Sequence, residues 1–186
     1  MAAQDQHLDA YSEITNIGSG NAATALASFL HSRVDLDPPV AYEIDLYQAC
    51  DLLLDDTPET SVVLLECAGE LDGLIALLID DPAPYMKALG APPELEEAAI
   101  AEIGNIFAAR FIEAIGSMLG IKGRYEPPAT AVGSRTAIME TILAMAAGAE
   151  MFTLVRSWLR IEDGQSPAEL VYFPGQSALA HVESML

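Results

Sequence analysis

The run Glu13-Ile-Thr-Asn-Ile-Gly-Ser-Gly-Asn-Ala-Ala-Thr-Ala-Leu26 decides the reading of this chain, because a related run opens at Glu102-Ile-Gly-Asn-Ile-Phe107. Shifting the sequence by 89 residues lays Glu13 on Glu102, Ile14 on Ile103, Asn16 on Asn105 and Ile17 on Ile106. Farther on, Ala25 falls on Ala114, Ser28 on Ser117, Leu30 on Leu119, and Pro38-Pro39 on Pro127-Pro128, all without a gap. Self-similarity at a fixed offset is the mark of a repeated structural unit. The chain therefore reads as one domain of 186 residues built from two repeats, about 8–90 and 97–186, related by a pseudo-twofold axis.

Each repeat opens with a helix. Leu8, Tyr11, Ile14, Ala22, Leu26, Phe29 and Leu30 recur at spacings near three and four, and the Pro38-Pro39 pair bars continuation. The second helix is expected from about Pro93 to Leu119, with Ile100, Ile103, Ile106, Phe107 and Phe111 on its buried stripe. Gly18 and Gly20 each cost a helix about 1 kcal/mol, and close backbone approach by a neighbouring element is the expected gain at both. Extended chain should follow each proline pair, at Val40 to Leu46 and at Ala129 to Val132, and then a short helical or loop segment. Two hairpins come next: Thr60 to Cys67 with Gly73 to Ile79, and Met151 to Ile161 with Ala168 to Phe173 about Asp163-Gly164. Helices from Pro82 to Leu89 and from Gln176 to Met185 close the repeats. The order helix, strand, helix, hairpin, helix, twice over, is an α/β or α+β fold with long helices packed on a β-sheet.

Composition narrows the function. Asp and Glu number 28 against 8 Lys and Arg, a formal net charge of −20, which disfavours nucleic acid and anionic membrane as partners. Acidity spread through a chain with two lysines, Lys87 and Lys122, reads as a solvation device suited to a salt-rich, halophilic host. The opening residues are polar, and the apolar stretch Ser61 to Ile79 is broken by Glu66, Glu70 and Asp72, so a cytoplasmic location is expected. Cys50 and Cys67 fit no metal spacing and read as reduced. His7, His31 and His181 are dispersed and read as surface or structural residues. Gly18-x-Gly20 lies inside a helix and is no dinucleotide loop, and Ser19 and Ser134 lack a nucleophile elbow.

Chemistry concentrates on the repeated helices. At 3.6 residues per turn, Asp9, Glu13 and Asn16 share one stripe, which Glu102 and Asn105 repeat, while the isoleucines between them turn inward. A carboxylate and an amide one turn apart supply an acceptor and a paired donor and acceptor, but neither a nucleophile nor a metal cage. Phosphoryl transfer to water is a reaction such a pair can serve, since positioning and charge stabilisation carry most of the acceleration. A neutral amide can hold the attacking water by donating one hydrogen bond and accepting another.

The spacing resembles that of the CheC, CheX and FliY family of chemotaxis phosphatases, whose motif is Asp or Ser, three residues, Glu, two residues, Asn, twenty-two residues, Pro. Asp9, Glu13, Asn16 and Pro39 satisfy it throughout; the second copy has Glu102, Asn105 and Pro128 but Ala98 in the leading position. The resemblance implies a hydrolase for the phosphoaspartate of a CheY-like receiver domain. On that likeness Asn16 and Asn105 orient water and Glu13 and Glu102 pair with a receiver lysine. No cofactor of its own is implied, the Mg2+ belonging to the receiver.

The same resemblance implies a second partner, the receptor deamidase CheD. Its substrate pattern is Ala or Ser, two residues, two Gln or Glu, two residues, Ala or Ser. Ala137-Ile-Met-Glu140-Thr141-Ile-Leu-Ala144 resembles it, with Thr141 at the second acidic or amide position. The alternative to an enzyme is an adaptor that binds CheD or phosphorylated CheY without turnover.

Overall fold

The computed structural model describes residues 2–146, 150–161 and 166–184. A long helix α1 (Ala2–Leu30) leads into two short strands, β1 (Val34–Leu36) and β2 (Val40–Ile44), then α2 (Leu46–Leu53). A hairpin of β3 (Thr60–Gly69) and β4 (Gly73–Ile79) precedes α3 (Ala83–Leu89). After a 3₁₀ turn at Pro93–Leu95 the order recurs: α4 (Glu96–Leu119), β5 (Gly123–Tyr125), β6 (Ala129–Gly133), α5 (Arg135–Ala146), β7 (Phe152–Ile161), β8 (Ser166–Pro174) and α6 (Gln176–Glu183). The Asp163-Gly164 turn and Met185 lie outside the described residues.

All strand pairs are antiparallel and form one sheet. At its centre β4 pairs with β8, with Ala76 opposite Val171. Outside them lie β3 and β7, and each takes two short strands from the other half of the chain: β5 and β6 join β3, while β1 and β2 join β7. Because edge strands are exchanged in this way, neither half carries a complete sheet edge of its own.

Both sheet faces are covered. Val63, Leu65, Ile75, Leu77, Val155, Leu170 and Tyr172 face α1 and α4, with α3 and α6 packed at their margin. Val62, Ala76, Leu78, Leu154, Val171 and Phe173 face α2 and α5. This explains the unbroken apolar runs of β3 and β4: alternate residues serve different cores, so no polar alternation survives. A buried ionic cluster joins the α2–α5 layer to the sheet. Glu169 of β8 receives Arg135 from the start of α5 and Arg156 from β7; Arg135 also reaches Asp80 at 3.2 Å, and Arg156 donates to the Leu52 carbonyl at 3.1 Å.

Several boundaries differ from the sequence reading. α1 begins at Ala2, six residues before Leu8. Strand β2 stops at Ile44 and does not run to Leu46, because Asp45 caps α2. Its carboxylate accepts from the Gln48 backbone N–H at 2.8 Å while the Gln48 side chain accepts from the Asp45 N–H at 3.0 Å, a capping box. The short strands β1 and β5, ahead of the proline pairs, had no place in the expected order. Each has three residues, too few to show a periodicity, and each forms by adding to a longer strand.

The two glycines of α1 also part company. A Cβ on Gly18 would meet the side chains of Phe111 and Ile115 of α4 at 2.9 Å, so a close neighbour exists there, through side chains and not backbone. A Cβ on Gly20 would meet nothing within 4 Å, and the expected contact at that position is absent.

Candidate functional site

The buried faces of α1 and α4 fix where the Glu and Asn side chains go. In α1, Tyr11, Ile14, Thr15, Gly18, Ala22, Leu26 and Leu30 are buried, which leaves Asp9, Glu13 and Asn16 exposed. In α4, Ile100, Ile103, Gly104, Phe107, Phe111 and Ile115 are buried; Ala98 and Glu102 are exposed and Asn105 is half-buried. Each Glu-x-x-Asn pair thus occupies one outward stripe of a helix whose opposite side is locked into the core. Fully burying Phe107 and Phe111 contributes about 2 kcal/mol each to that lock, and their rings stack with centroids 5.7 Å apart.

The two stripes differ in their surroundings. Among the described residues the Asn16 side chain has no hydrogen-bond partner, whereas Asn105 Oδ1 accepts from the Tyr125 hydroxyl at 3.3 Å. Beside the first stripe, Ser12 Oγ accepts the Ala41 backbone N–H at 3.0 Å and ties α1 to the edge strand β2. Beside the second, Thr130 Oγ1 donates to Glu97 at 3.3 Å. Tyr125 and Ser12 were missed in the sequence because no motif spacing joins Tyr125 to Asn105 or Ser12 to Ala41; each meets its partner through the packing of a three- or five-residue strand.

The proline positions differ in burial: Pro39 is buried beside β2, while Pro128 is half-buried before β6. Ala137, Glu140, Thr141 and Ala144 all lie exposed on α5, whose Ile138, Met139, Ile142 and Leu143 are buried. That face belongs to the layer on the other side of the sheet from α1 and α4.

Two of the histidines stand at the surface beside carboxylates distant in sequence. His7 Nδ1 lies 3.7 Å from Glu183 and His181 Nε2 lies 3.5 Å from Glu70, pairs brought together only by folding. His31 is exposed and ends α1 with a positive φ of 51°, the left-handed conformation that Gly120 adopts after α4. Both cysteines are free; burial pushes the Cys67 thiol up to about 12, far from a reactive thiolate. Among the described residues no three His, Cys, Asp or Glu side chains group as metal ligands, and no helix is long and apolar enough to cross a membrane.

Residues 7–43, which contain the first stripe and Pro39, match the CheC-like family model. The CheY-P phosphatase CheC of Bacillus subtilis (strain 168) is 24% identical over 128 residues, a match spanning 62% of this chain and 61% of that relative. The structure of FliY from Thermotoga maritima superposes with a TM-score of 0.78 at 19% identity, covering 97% of this chain and 96% of that one. CheX in its complex with CheY, BeF3 and Mg2+ from Borrelia burgdorferi gives a TM-score of 0.53 at 16% identity over 86% of this chain and 96% of that one. By its opening segment and by its fold, the chain is similar to the CheC, CheX and FliY group of chemotaxis proteins.

Proposed function

We propose that the protein hydrolyses the phosphoaspartate of a CheY-like receiver domain, using Glu13 with Asn16 and Glu102 with Asn105 as two sites. The observation that carries this reading is the pair of outward Glu-x-x-Asn stripes on two helices that are otherwise packed into the core. A rigid helix holds the amide at a fixed height, and the carboxylate one turn away is free to meet a cation on the partner. In the reaction water attacks phosphorus, the bond from phosphorus to the aspartyl oxygen breaks, and inorganic phosphate and the free carboxylate leave. The Asn side chain accepts one hydrogen of the water through Oδ1 and donates through Nδ2, which holds the water in line. Glu13 and Glu102 pair with a receiver lysine and so set the distance. Mg2+ belongs to the receiver and enters with the substrate.

The two stretches 8–90 and 97–186 are copies of one ancestral unit, a view supported by the recurrence of the element order after Leu89 and by the offset identities. The protein works in the cytoplasm, where receiver domains reside. The exposed face Ala137, Glu140, Thr141 and Ala144 is a contact for CheD, separate from the Glu-Asn stripes.

The direct test follows the decay of a phosphorylated CheY-like receiver with catalytic amounts of the protein. Multiple turnovers support the enzyme. Binding to the phosphorylated receiver with an unchanged decay rate replaces it by an adaptor.

A further inference from the structure

The two Asn side chains are not held alike, and the difference has a chemical consequence. Asn16 is exposed and its amide is without a partner among the described residues. Asn105 is half-buried and its Oδ1 accepts from the Tyr125 hydroxyl at 3.3 Å. The Tyr125 ring is itself fixed, because it packs on the main core from β5, where Tyr125 stands opposite Cys67 of β3. At the same place in the first half, 89 residues earlier, stands Leu36 of β1, which also packs on that core but has no hydroxyl.

The terminal torsion of Asn is broad and roughly two-fold, so an unpartnered amide samples many orientations and must be ordered when water and phosphoryl group arrive. One hydrogen bond to Oδ1 selects the rotamer in which Nδ2 points away from Tyr125, and it leaves the second lone pair of Oδ1 free for water. The ordering cost is then met during folding and not during turnover.

We propose that Tyr125 is a positioning residue for Asn105, which makes the second site the pre-organised one and the first site the slower one. The proposal rests on the water-positioning role given above to both Asn side chains. It acts on orientation within the bound complex, so it changes kcat and leaves the docking of the receiver, and hence KM, in place.

Each site is isolated by removing the other: Asn16→Ala leaves the second site, Asn105→Ala leaves the first. The Asn16→Ala protein is expected to have the higher kcat. Adding Tyr125→Phe, which keeps the ring and removes the hydroxyl, should lower kcat of the Asn16→Ala protein about five-fold, the effect of one hydrogen bond, at constant KM. The same addition to the Asn105→Ala protein should have no such effect, since the two substitutions act on one group. An unchanged kcat in the Asn16→Ala, Tyr125→Phe protein overturns the proposal. So does an equal loss in both backgrounds, which marks a general weakening of the fold, or a faster first site. If instead Asn16→Ala with Asn105→Ala hydrolyses the substrate at the parental rate, the water-positioning reading itself has failed.

Discussion

At the level of single residues, the glycines of α1 and α4 show how an identical side chain serves different ends. Gly104 occupies the position matching Thr15, next to Asn105, and a Cβ there would come within 2.2 Å of Val63 Cγ1 in β3. Gly20 has open space around it. Gly104→Ala must therefore push α4 off the sheet and should destabilise the protein by about 1–3 kcal/mol, the usual cost of overpacking. Gly20→Ala should stabilise it by up to about 1 kcal/mol through helix propensity. Urea midpoints of the two variants test this; a stabilised Gly104→Ala protein would contradict the close packing. In the sequence Gly18 and Gly20 carried the same cost and the same expected gain, because which neighbour stands over a Cα depends on tertiary packing. The Glu and Asn positions were legible for the opposite reason. A stripe is a property of helical period alone, and Glu13, Asn16 and Glu102 are exposed as the period requires.

Among the elements, the long helices and the two hairpins were readable because each has many residues with a consistent pattern. The short strands β1 and β5 were not, since a three-residue strand exists through its partner: Val34 to Leu36 gain order by pairing with Leu159 to Ile161. The end of β2 was within reach, for Asp45-x-x-Gln48 is a capping box written in the sequence. α5 is the element on which a further prediction turns. Its exposed face carries Glu140 between Ala137 and Ala144, while its buried face packs on the sheet layer away from α1 and α4. The proposed contact with CheD should thus be separable from hydrolysis. Glu140→Arg places a cation where a carboxylate should dock, and it should weaken CheD binding at least ten-fold with the rate of receiver dephosphorylation unchanged. Unchanged affinity in a titration against CheD, or a matching loss of hydrolysis, would remove the separate site.

For the whole molecule, exchange of edge strands between the halves binds the two Glu-Asn helices to one sheet, and α1 packs directly on α4 at Gly18. The offset identities in the sequence did not reveal this exchange, since they say nothing about which half a strand pairs with. Charge acts at the same scale. With a net charge of −20, carboxylates repel over about 30 Å at 0.01 M salt and over about 3 Å at 1 M. The melting temperature should rise from low salt to molar potassium chloride; a level or falling value would contradict self-repulsion as a limit on stability.

Two Asn side chains on this rigid frame are proposed to position water at a receiver's phosphoaspartate. The most direct test of that role is the steady-state rate of receiver dephosphorylation by the Asn16→Ala, Asn105→Ala protein. With both amides exposed or half-buried, circular dichroism and melting should stay close to those of the parent. A loss of at least a hundred-fold is expected, leaving the receiver to decay at nearly its own rate. A folded double variant that dephosphorylates the receiver as fast as the parent would contradict it.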